Sequence, residues 1–175
     1  PEQAAFHYKK SGHDGSPIVM SCSDVAFAGA MDAAALFQQS AQAAGIPLQI
    51  QREPGDGYWS DVWNAKPFCA SYWGGRPVQD QMYSTAYSST ADWNDTRFEN
   101  AEFDSLLVEA RGELDETRRR EMYSRMAYLV RDEGGLILPM FNDFISANAS
   151  ELQGWIDDPN QDLMNGYAPH KCWFA

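Results

Sequence analysis

The chain has 175 residues, of which 44% are hydrophobic and 13% aromatic, a composition that supports a folded core and excludes a disordered chain. Its 25 acidic and 13 basic side chains give a formal net charge of -12, which disfavours binding to nucleic acid or to an anionic membrane surface. No apolar run approaches the roughly 20 residues of a membrane span and the first residues lack the apolar stretch of a signal peptide, so we expect no membrane insertion and a soluble mature product or a fragment.

A strand, a helix and a second strand are predicted near the start of the chain. The apolar run at residues 18–23, "IVMSCS", has the length of a strand, and residues 46–50 alternate apolar and polar side chains. Residues 29–44 have helical spacing and stop at Gly45. The apolar face of that helix is predicted to carry Ala33, Leu36, Phe37, Ser40, Ala41 and Ala44. This order indicates a βαβ unit with parallel strands.

A third strand is predicted after a short aromatic helix. The stretch "PGDGYWSDVW" indicates a turn entering a helix that carries Tyr58, Trp59 and Trp63. Residues 66–73, "KPFCASYW", then have the character of a strand that ends in the loop "SYWGGRP". Because ligands gather at the carboxyl ends of parallel strands, this loop is a candidate binding site.

The second half of the chain is predicted to be mainly helical. Residues 77–87 are compatible with a helix, and residues 88–100 are polar and loop-like. Two amphipathic helices follow, capped by Asn100 and Asp115 and stopped by glycines at 134 and 135. Residues 136–150 indicate one or two strands, with Pro139 at an edge position. Residues 151–175 indicate an irregular tail whose aromatic side chains need an apolar partner.

Sequence signatures of catalysis and of metal binding are missing. The chain has no GxSxG, P-loop, GxGxxG or HExxH motif, and the "GHDGS" turn at residues 12–16 places His13, Asp14 and Ser16 too close together for a catalytic triad. Four carboxylates are candidates for acid–base catalysis, but nothing in their spacing forces two of them onto one face; they are Asp56, Asp61, Asp80 and Asp92.

The spacing of the cysteines and histidines does not match that of metal ligands. The cysteines at 22, 69 and 172 form no CxxC pair, and the three histidines are dispersed, so we expect no metal site and no cofactor. Whether the cysteines form one disulfide or stay thiols remains open. Asn94 and Asn148 begin glycosylation sequons, which matter only in a eukaryotic secretory pathway.

The order of motifs over residues 17–155 resembles extracellular solute-binding proteins of family 5, the peptide- and nickel-type receptors of ABC importers. Residues 92–142 resemble the C-terminal part of that family. The matching positions in its first helix are Phe103, Asp104, Leu106, Leu107, Ala110 and Arg111; those in the second helix are Asp115, Arg119 and Tyr123; those in the closing segment are Asp132, Glu133, Leu138, Pro139 and Met140. Upstream, "LFQQSAQAAGIPLQIQ" and "FCASYWGG" resemble the family's helix, strand and "W-x-G" strand end.

The resemblance implies an α/β fold: a lobe of the periplasmic binding protein type II kind, with a small mainly parallel sheet flanked by helices and an irregular C-terminal tail. Residues 1–150 would form an incomplete C-terminal lobe, and residues 151–175 would return to a missing N-terminal lobe of the same protein. The implied function is capture of a small solute or peptide between two lobes and its delivery to the membrane subunits of an ABC permease. The implied location is the bacterial periplasm, or the cell surface as a lipoprotein, reached by an N-terminal signal that this chain lacks.

The predicted ligand-contacting residues are Tyr72, Trp73, Gly74, Gly75, Arg76 and Asp80. In peptide-binding members of the family, an aspartate after "W-x-G" commonly pairs with the amino terminus of the peptide. Here Arg76 follows the glycines, and the nearest acid is Asp80. We expect Arg76 to hold an acidic group of the ligand; in the alternative, Arg76 pairs with Asp80 and Trp73 packs internally.

Three functions remain open on the sequence alone. Binding without covalent chemistry is favoured over an α/β enzyme domain that uses the loop at residues 72–80 as a substrate site. A pure interaction domain would be favoured if the tail buried itself against a partner chain. Peptide, oligosaccharide, opine-like compound and metal chelate all remain possible solutes.

Overall fold

The computed structural model describes residues 1–143, 145–158, 160 and 162–175, and for residue 162 it describes the backbone alone. Two compact units make up the chain, Pro1–Tyr72 and Trp73–Ala175. The predicted division into residues 1–150 and 151–175 concerns a longer, two-lobed protein and stays a prediction.

The first unit contains the predicted βαβ arrangement. It begins with α1 (Glu2–Lys10), for which the sequence suggested no element, and continues with β1 (Ile18–Cys22), α2 (Ala30–Ala43) and β2 (Leu48–Arg52). β1 and β2 pair in parallel, with Ile18 opposite Leu48 and Cys22 opposite Arg52. The prediction of a small parallel sheet with a connecting helix is therefore confirmed.

The third strand predicted at residues 66–73 is reduced to one bridge beside β1. The Ser21 amide donates to the Phe68 carbonyl oxygen at 3.0 Å, and the Ala70 amide donates to the Ser21 carbonyl oxygen at 2.9 Å, which sets Cys69 parallel to β1. Where the bridge ends, the Tyr58 hydroxyl donates to the Ala70 carbonyl oxygen at 2.7 Å. That oxygen is the acceptor that the next bond of a parallel ladder would use.

Tyr58 belongs to a π-helical turn, Tyr58–Val62, where the sequence indicated a short helix. Its side chain is fully buried, and burial, followed by nearby sulfur and carboxylate groups, raises the pKa of its hydroxyl. The core around it is built from small side chains of β1, α2 and the turns: Cys22, Ala26, Ala30, Ala34, Val62 and Ala70. Small residues let the helix approach the strands closely, and the tyrosine ring is the largest fully buried side chain of this core.

The second unit is built on three helices, α3 (Gln79–Ala86), α4 (Ala101–Gly112) and α5 (Glu116–Glu133). Both predicted caps form: Asn100 accepts from the Phe103 amide at 2.9 Å, and Asp115 accepts from the Arg118 amide at 2.8 Å. The core of this unit consists of buried aromatic and aliphatic side chains: Tyr83, Ala86, Tyr87, Phe98, Phe103, Leu107, Ala110, Met122, Met126 and Leu129. The two apolar stripes predicted for α4 and α5 thus supply much of the core.

The polar loop between α3 and α4 is fastened by a buried asparagine. The Asn94 side chain donates to the Phe98 carbonyl oxygen at 2.7 Å and to the Ser88 carbonyl oxygen at 3.2 Å. Its own oxygen accepts from the Phe98 amide at 3.0 Å. With 5% of its surface exposed, Asn94 replaces secondary structure in holding this loop against Phe98, a core residue.

The strands predicted at residues 136–150 are wrong for the residues that the structure describes there, since positions 136–143 and 145–149 join no ladder; position 144 lies outside the description. A strand needs a partner for its backbone groups, and the rest of the described chain offers none at this segment. Large apolar side chains stand exposed along it: Leu136, Ile137, Leu138, Met140, Phe141 and Ile145.

The tail is more ordered than the sequence predicted. β3 (Leu152–Gln153) pairs antiparallel with β4 (Trp173–Phe174). Between the two strands, the α6 turn (Asp162–Asn165) has left-handed backbone angles at Leu163 and Met164, and a single helical turn, α7 (Ala168–Lys171), follows. Trp173 and Phe174 remain more than half exposed.

None of the helices in the described ranges has both the length and the apolar character that crossing a membrane requires.

Candidate ligand-binding site

Tyr72 is the predicted site residue that belongs to the first unit. It follows Ala70, which is fixed beside β1, and its side chain is 61% exposed. Its ring centroid lies 5.5 Å from that of Trp59, with the two ring planes at 82°. Tyr72 therefore offers an exposed aromatic surface whose position is fixed by a neighbouring ring.

Trp73 and Arg76 form the aromatic and cationic part of the loop in the second unit. The Trp73 ring is half-buried against the core of that unit, and its centroid lies 6.0 Å from that of Trp93. The guanidinium carbon of Arg76 lies 5.9 Å from the centroid of the Trp73 ring, within cation–π range. Its Nη1 donates to the carbonyl oxygens of Gly74 and Gly75 at 3.0 and 3.2 Å. The Arg76 side chain thus hydrogen-bonds to the backbone of its own loop.

The two glycines of the loop differ in the space around them. A Cβ atom at Gly75 would lie 2.7 Å from the Asn160 carbonyl oxygen, closer than real contacts allow. Of the residues that the structure describes, a Cβ atom at Gly74 would meet only the Arg76 side chain, at 3.7 Å. Gly75 is therefore required for the close approach of another backbone segment.

Asp80 does not pair with Arg76. Its two carboxylate oxygens accept from Arg111 Nε at 2.8 and 3.1 Å, and Arg111 Nη2 donates to Ser84 Oγ. The hydrogen bond with Asp80 raises the pKa of Arg111. Burial, and next the negative charge of Asp80, raises the pKa of Tyr123. Asp80 is thus held within a network that links α3 to α4 and faces α5.

Sequence reasoning missed the partners of the predicted residues. Arg111 was noted only as the end of a helical motif, and Trp93 only as part of a polar loop. Arg111 contacts Asp80, which is 31 residues away in sequence. Trp93 contacts Trp73, which is 20 residues away. Local spacing carries no signal for such contacts, although an arginine at the end of an amphipathic helix is a natural partner for a nearby acid.

The two arrangements considered for other chemistry do not come together. In the "GHDGS" turn, His13 Nδ1 lies 3.0 Å from the Tyr8 hydroxyl and accepts from the Gly15 amide, while Asp14 accepts from the Ser16 amide. These contacts describe a surface turn. Within the described ranges, no three histidine, cysteine, aspartate or glutamate side chains gather as metal ligands would.

No family model matches the chain, and no curated protein matches its sequence. Solved structures do match its fold. The oligopeptide-binding protein AppA from Bacillus subtilis, in complex with a nonapeptide, is 18% identical over 99% of this chain, with a TM-score of 0.68. HbpA2 from Haemophilus parasuis is 13% identical over 99% of the chain, with a TM-score of 0.67.

A nickel-complex binder matches over a shorter range. NikZ from Campylobacter jejuni, in complex with Ni(L-His), is 15% identical over 65% of the chain, with a TM-score of 0.54. The chain spans 37%, 35% and 24% of the lengths of AppA, HbpA2 and NikZ. The chain therefore has the periplasmic binding protein type II fold of the peptide- and nickel-type substrate-binding proteins of ABC transporters, as predicted, and corresponds to part of such a protein's length.

Proposed function

We propose that this chain is a ligand-contacting part of a substrate-binding protein that captures a small solute between two lobes and delivers it to an ABC permease. In this proposal the chain supplies most of the C-terminal lobe, its tail returns to an N-terminal lobe, and no covalent chemistry takes place. The protein acts in the bacterial periplasm or at the cell surface. The likeness to AppA over nearly the whole chain supports the proposal.

The single observation that carries the proposed site is the state of Arg76. It is a half-buried guanidinium beside Trp73, and it forms no ion pair with any carboxylate whose side chain the structure describes, a set that leaves out residue 162. Six other arginines each face a carboxylate: Arg52, Arg111, Arg118, Arg120, Arg125 and Arg131. An arginine can hold a carboxylate or phosphate by two parallel hydrogen bonds, so we assign Arg76 to an acidic group of the solute.

The assignment separates this site from that of a receptor for free peptide amines. The nearest acid after the glycines, Asp80, already accepts both hydrogen bonds from Arg111. A ligand ammonium group would have to compete with that guanidinium. Trp73 would supply aromatic contact area, and Gly74 would permit close approach of the backbone to the solute.

Mass spectrometry of small molecules that co-purify with the full-length protein tests both steps. We expect the wild type and the control Arg120→Ala, which alters an exposed ion pair on α5, to release the same solute. Arg76→Ala should release much less, and its affinity for that solute should fall roughly 10- to 100-fold, the value of a charged hydrogen bond shielded from water. Unchanged affinity in Arg76→Ala would remove Arg76 from the site. Absence of any bound solute, with no binding in a solute screen, would refute the binding function.

A further inference from the structure

A second aromatic surface lies entirely in the first unit. We call it the Trp59 cluster and define it by Trp59, Trp63 and Tyr72. The centroid of Trp59 lies 6.1 Å from that of Trp63 and 5.5 Å from that of Tyr72, with interplanar angles of 67° and 82°. Trp59 is 41% exposed and Tyr72 61% exposed. At these angles the edge of one ring packs against the face of its neighbour, and part of the ring surface stays exposed to solvent.

Tyr58 holds this cluster rigidly from below. It is fully buried, its ring centroid lies 5.4 Å from that of Trp59, and its hydroxyl donates to Ala70, two residues before Tyr72. One buried side chain therefore fixes both the turn that carries Trp59 and the segment that carries Tyr72. Rings that are already ordered lose little conformational entropy when a ligand covers them.

The cluster lies where parallel strands end. Trp59 follows the carboxyl end of β2, and Tyr72 follows the segment that runs parallel to β1 through the pairing of Ser21 with Cys69. Open parallel sheets bind ligands outside the carboxyl ends of their strands. The position of the cluster is therefore that of a binding surface.

Four charged side chains at this edge are paired with one another. Asp24 pairs with Arg52 at 2.9 Å, and Glu53 pairs with Lys66 at 3.2 Å. Asp61, in the π-helical turn, is exposed beside Trp59 in sequence. Because the two pairs balance their own charges, the exposed rings offer an aromatic face that suits a flat apolar group.

From these observations we propose that the Trp59 cluster is a subsite for an aromatic ring of the captured solute. Trp59 and Tyr72 contact the ring, while Trp63 and Tyr58 support them. This inference rests on the proposed function and narrows the solute to a molecule that carries an aromatic group.

The test titrates the full-length protein with N-acetylphenylalaninamide and, separately, with its saturated analogue N-acetylcyclohexylalaninamide, followed by NMR chemical shifts. We expect the aromatic probe to bind saturably and more tightly than the saturated one, with shifts centred on residues 58–72. Trp59→Leu and Tyr72→Leu should weaken its binding by about 3- to 10-fold, the value of an aromatic pair. The matched control, Tyr128→Leu, replaces a 49% exposed tyrosine of α5 and should leave the affinity unchanged.

Three results would overturn the subsite: no saturable binding of the aromatic probe, equal affinity for the two probes, or unchanged affinity in both leucine variants. If Trp59→Leu lowers the thermal midpoint, Trp59→Phe replaces it, and this variant should bind the aromatic probe within about 3-fold of the wild type. A loss beyond that counts against ring contact. These results are independent of the native solute, so failure to find a co-purifying molecule together with no binding in the solute screen refutes the proposed function and leaves the probe measurement standing.

Discussion

Arg111 holds Asp80 by its Nε, which lies 2.8 and 3.1 Å from the two carboxylate oxygens. The pair joins the first turn of α3 to the last turn of α4, and a further bond from Arg111 to Ser84 fixes the guanidinium plane. The acid nearest to the predicted binding loop is therefore part of the scaffold of the second unit. This leaves Arg76 as the charged group that we assign to the solute.

A double-mutant cycle on Asp80 and Arg111 measures this link. We expect Asp80→Ala and Arg111→Ala each to lower the free energy of unfolding in urea, with a coupling energy of about 0.5–1.5 kcal/mol. The value stays modest because the Arg111 side chain is 49% exposed and the Asp80 side chain 28% exposed, so that solvent screens the pair.

The control cycle uses Arg120 and Glu116 on α5, whose side chains are 84% and 73% exposed. Its coupling energy should lie within the error of the measurement. Equal coupling in the two cycles would show that the Asp80–Arg111 pair contributes no more than an ordinary surface pair.

Asn94 is expected to matter more to stability than any surface charge. Asn94→Ala removes four hydrogen bonds, one of them from the Thr96 hydroxyl, and leaves the Phe98 amide and carbonyl without their buried partner. We expect the free energy of unfolding to fall by about 2–3 kcal/mol, as measured by urea denaturation. Asn148→Ala is the matched control, because Asn148 is exposed and bonds only to the carbonyl of its neighbour. A loss under about 0.5 kcal/mol at Asn94 would refute the role assigned to it.

Asn94 also shows what the sequence could not predict. In the sequence it stands out only as the start of a glycosylation sequon, whereas in the fold its amide substitutes for backbone pairing in a loop. Helix caps at Asn100 and Asp115 were predictable because a cap depends on residues three positions apart. The backbone partners of Asn94 lie four and six positions away in irregular backbone, where no period predicts them.

The helix α2 marks the same limit for packing. Periodicity predicts the helix and its stop at Gly45, which adopts the left-handed φ of +72°. The predicted apolar face, however, included Leu36, which is 65% exposed, while Ala30 and Ala34 are buried. Small side chains let α2 pack closely against the strands, so alanines and not Leu36 face the core. Hydrophobicity alone ranks leucine above alanine and therefore predicts the wrong residue for this face.

The strand predictions failed where pairing depends on other parts of the protein. Local composition identified residues 66–73 and 136–150 as strands, but a ladder requires a neighbour. In the first segment, the Ala70 carbonyl oxygen accepts a hydrogen bond from the Tyr58 hydroxyl. In the second segment, the described part of the chain supplies no partner strand. The ligand-contacting role of the loop stays a prediction, and no pattern in the sequence predicts the boundary between the two units, which falls between Tyr72 and Trp73.

The pH dependence of the free energy of unfolding should show the contribution of Glu53 to stability. Its pKa is held below the ordinary value of 4.5, first by the hydrogen bond from Ser21 and then by Lys66. A carboxylate with a depressed pKa in the folded state stabilises the fold fully above its unfolded pKa, and this stabilisation is lost as the pH falls through the folded pKa. Glu53→Gln should therefore be less stable than the wild type at neutral pH, and the difference should shrink below about pH 4.5.

Urea denaturation from neutral pH down to about pH 3 checks this expectation. Glu121→Gln, which removes the same charge from an exposed position on α5, should differ little from the wild type throughout. A Glu53→Gln curve that runs parallel to that of the wild type at every pH would contradict the assignment.

Gly75 and Gly74 form a natural pair for testing the packing of the loop. Gly75→Ala places a methyl group 2.7 Å from the Asn160 carbonyl oxygen, a backbone atom that cannot rotate away. We expect the free energy of unfolding to fall by about 1–3 kcal/mol and the tryptophan emission of Trp73 and Trp93 to change as the loop shifts.

The control is Gly74→Ala. Among the described residues, its methyl group meets only the flexible end of Arg76 at 3.7 Å, so its unfolding and emission should match those of the wild type. Neither glycine has a positive φ, so backbone strain does not contribute to the comparison. Equal behaviour of the two variants would show that the loop does not pack against Asn160.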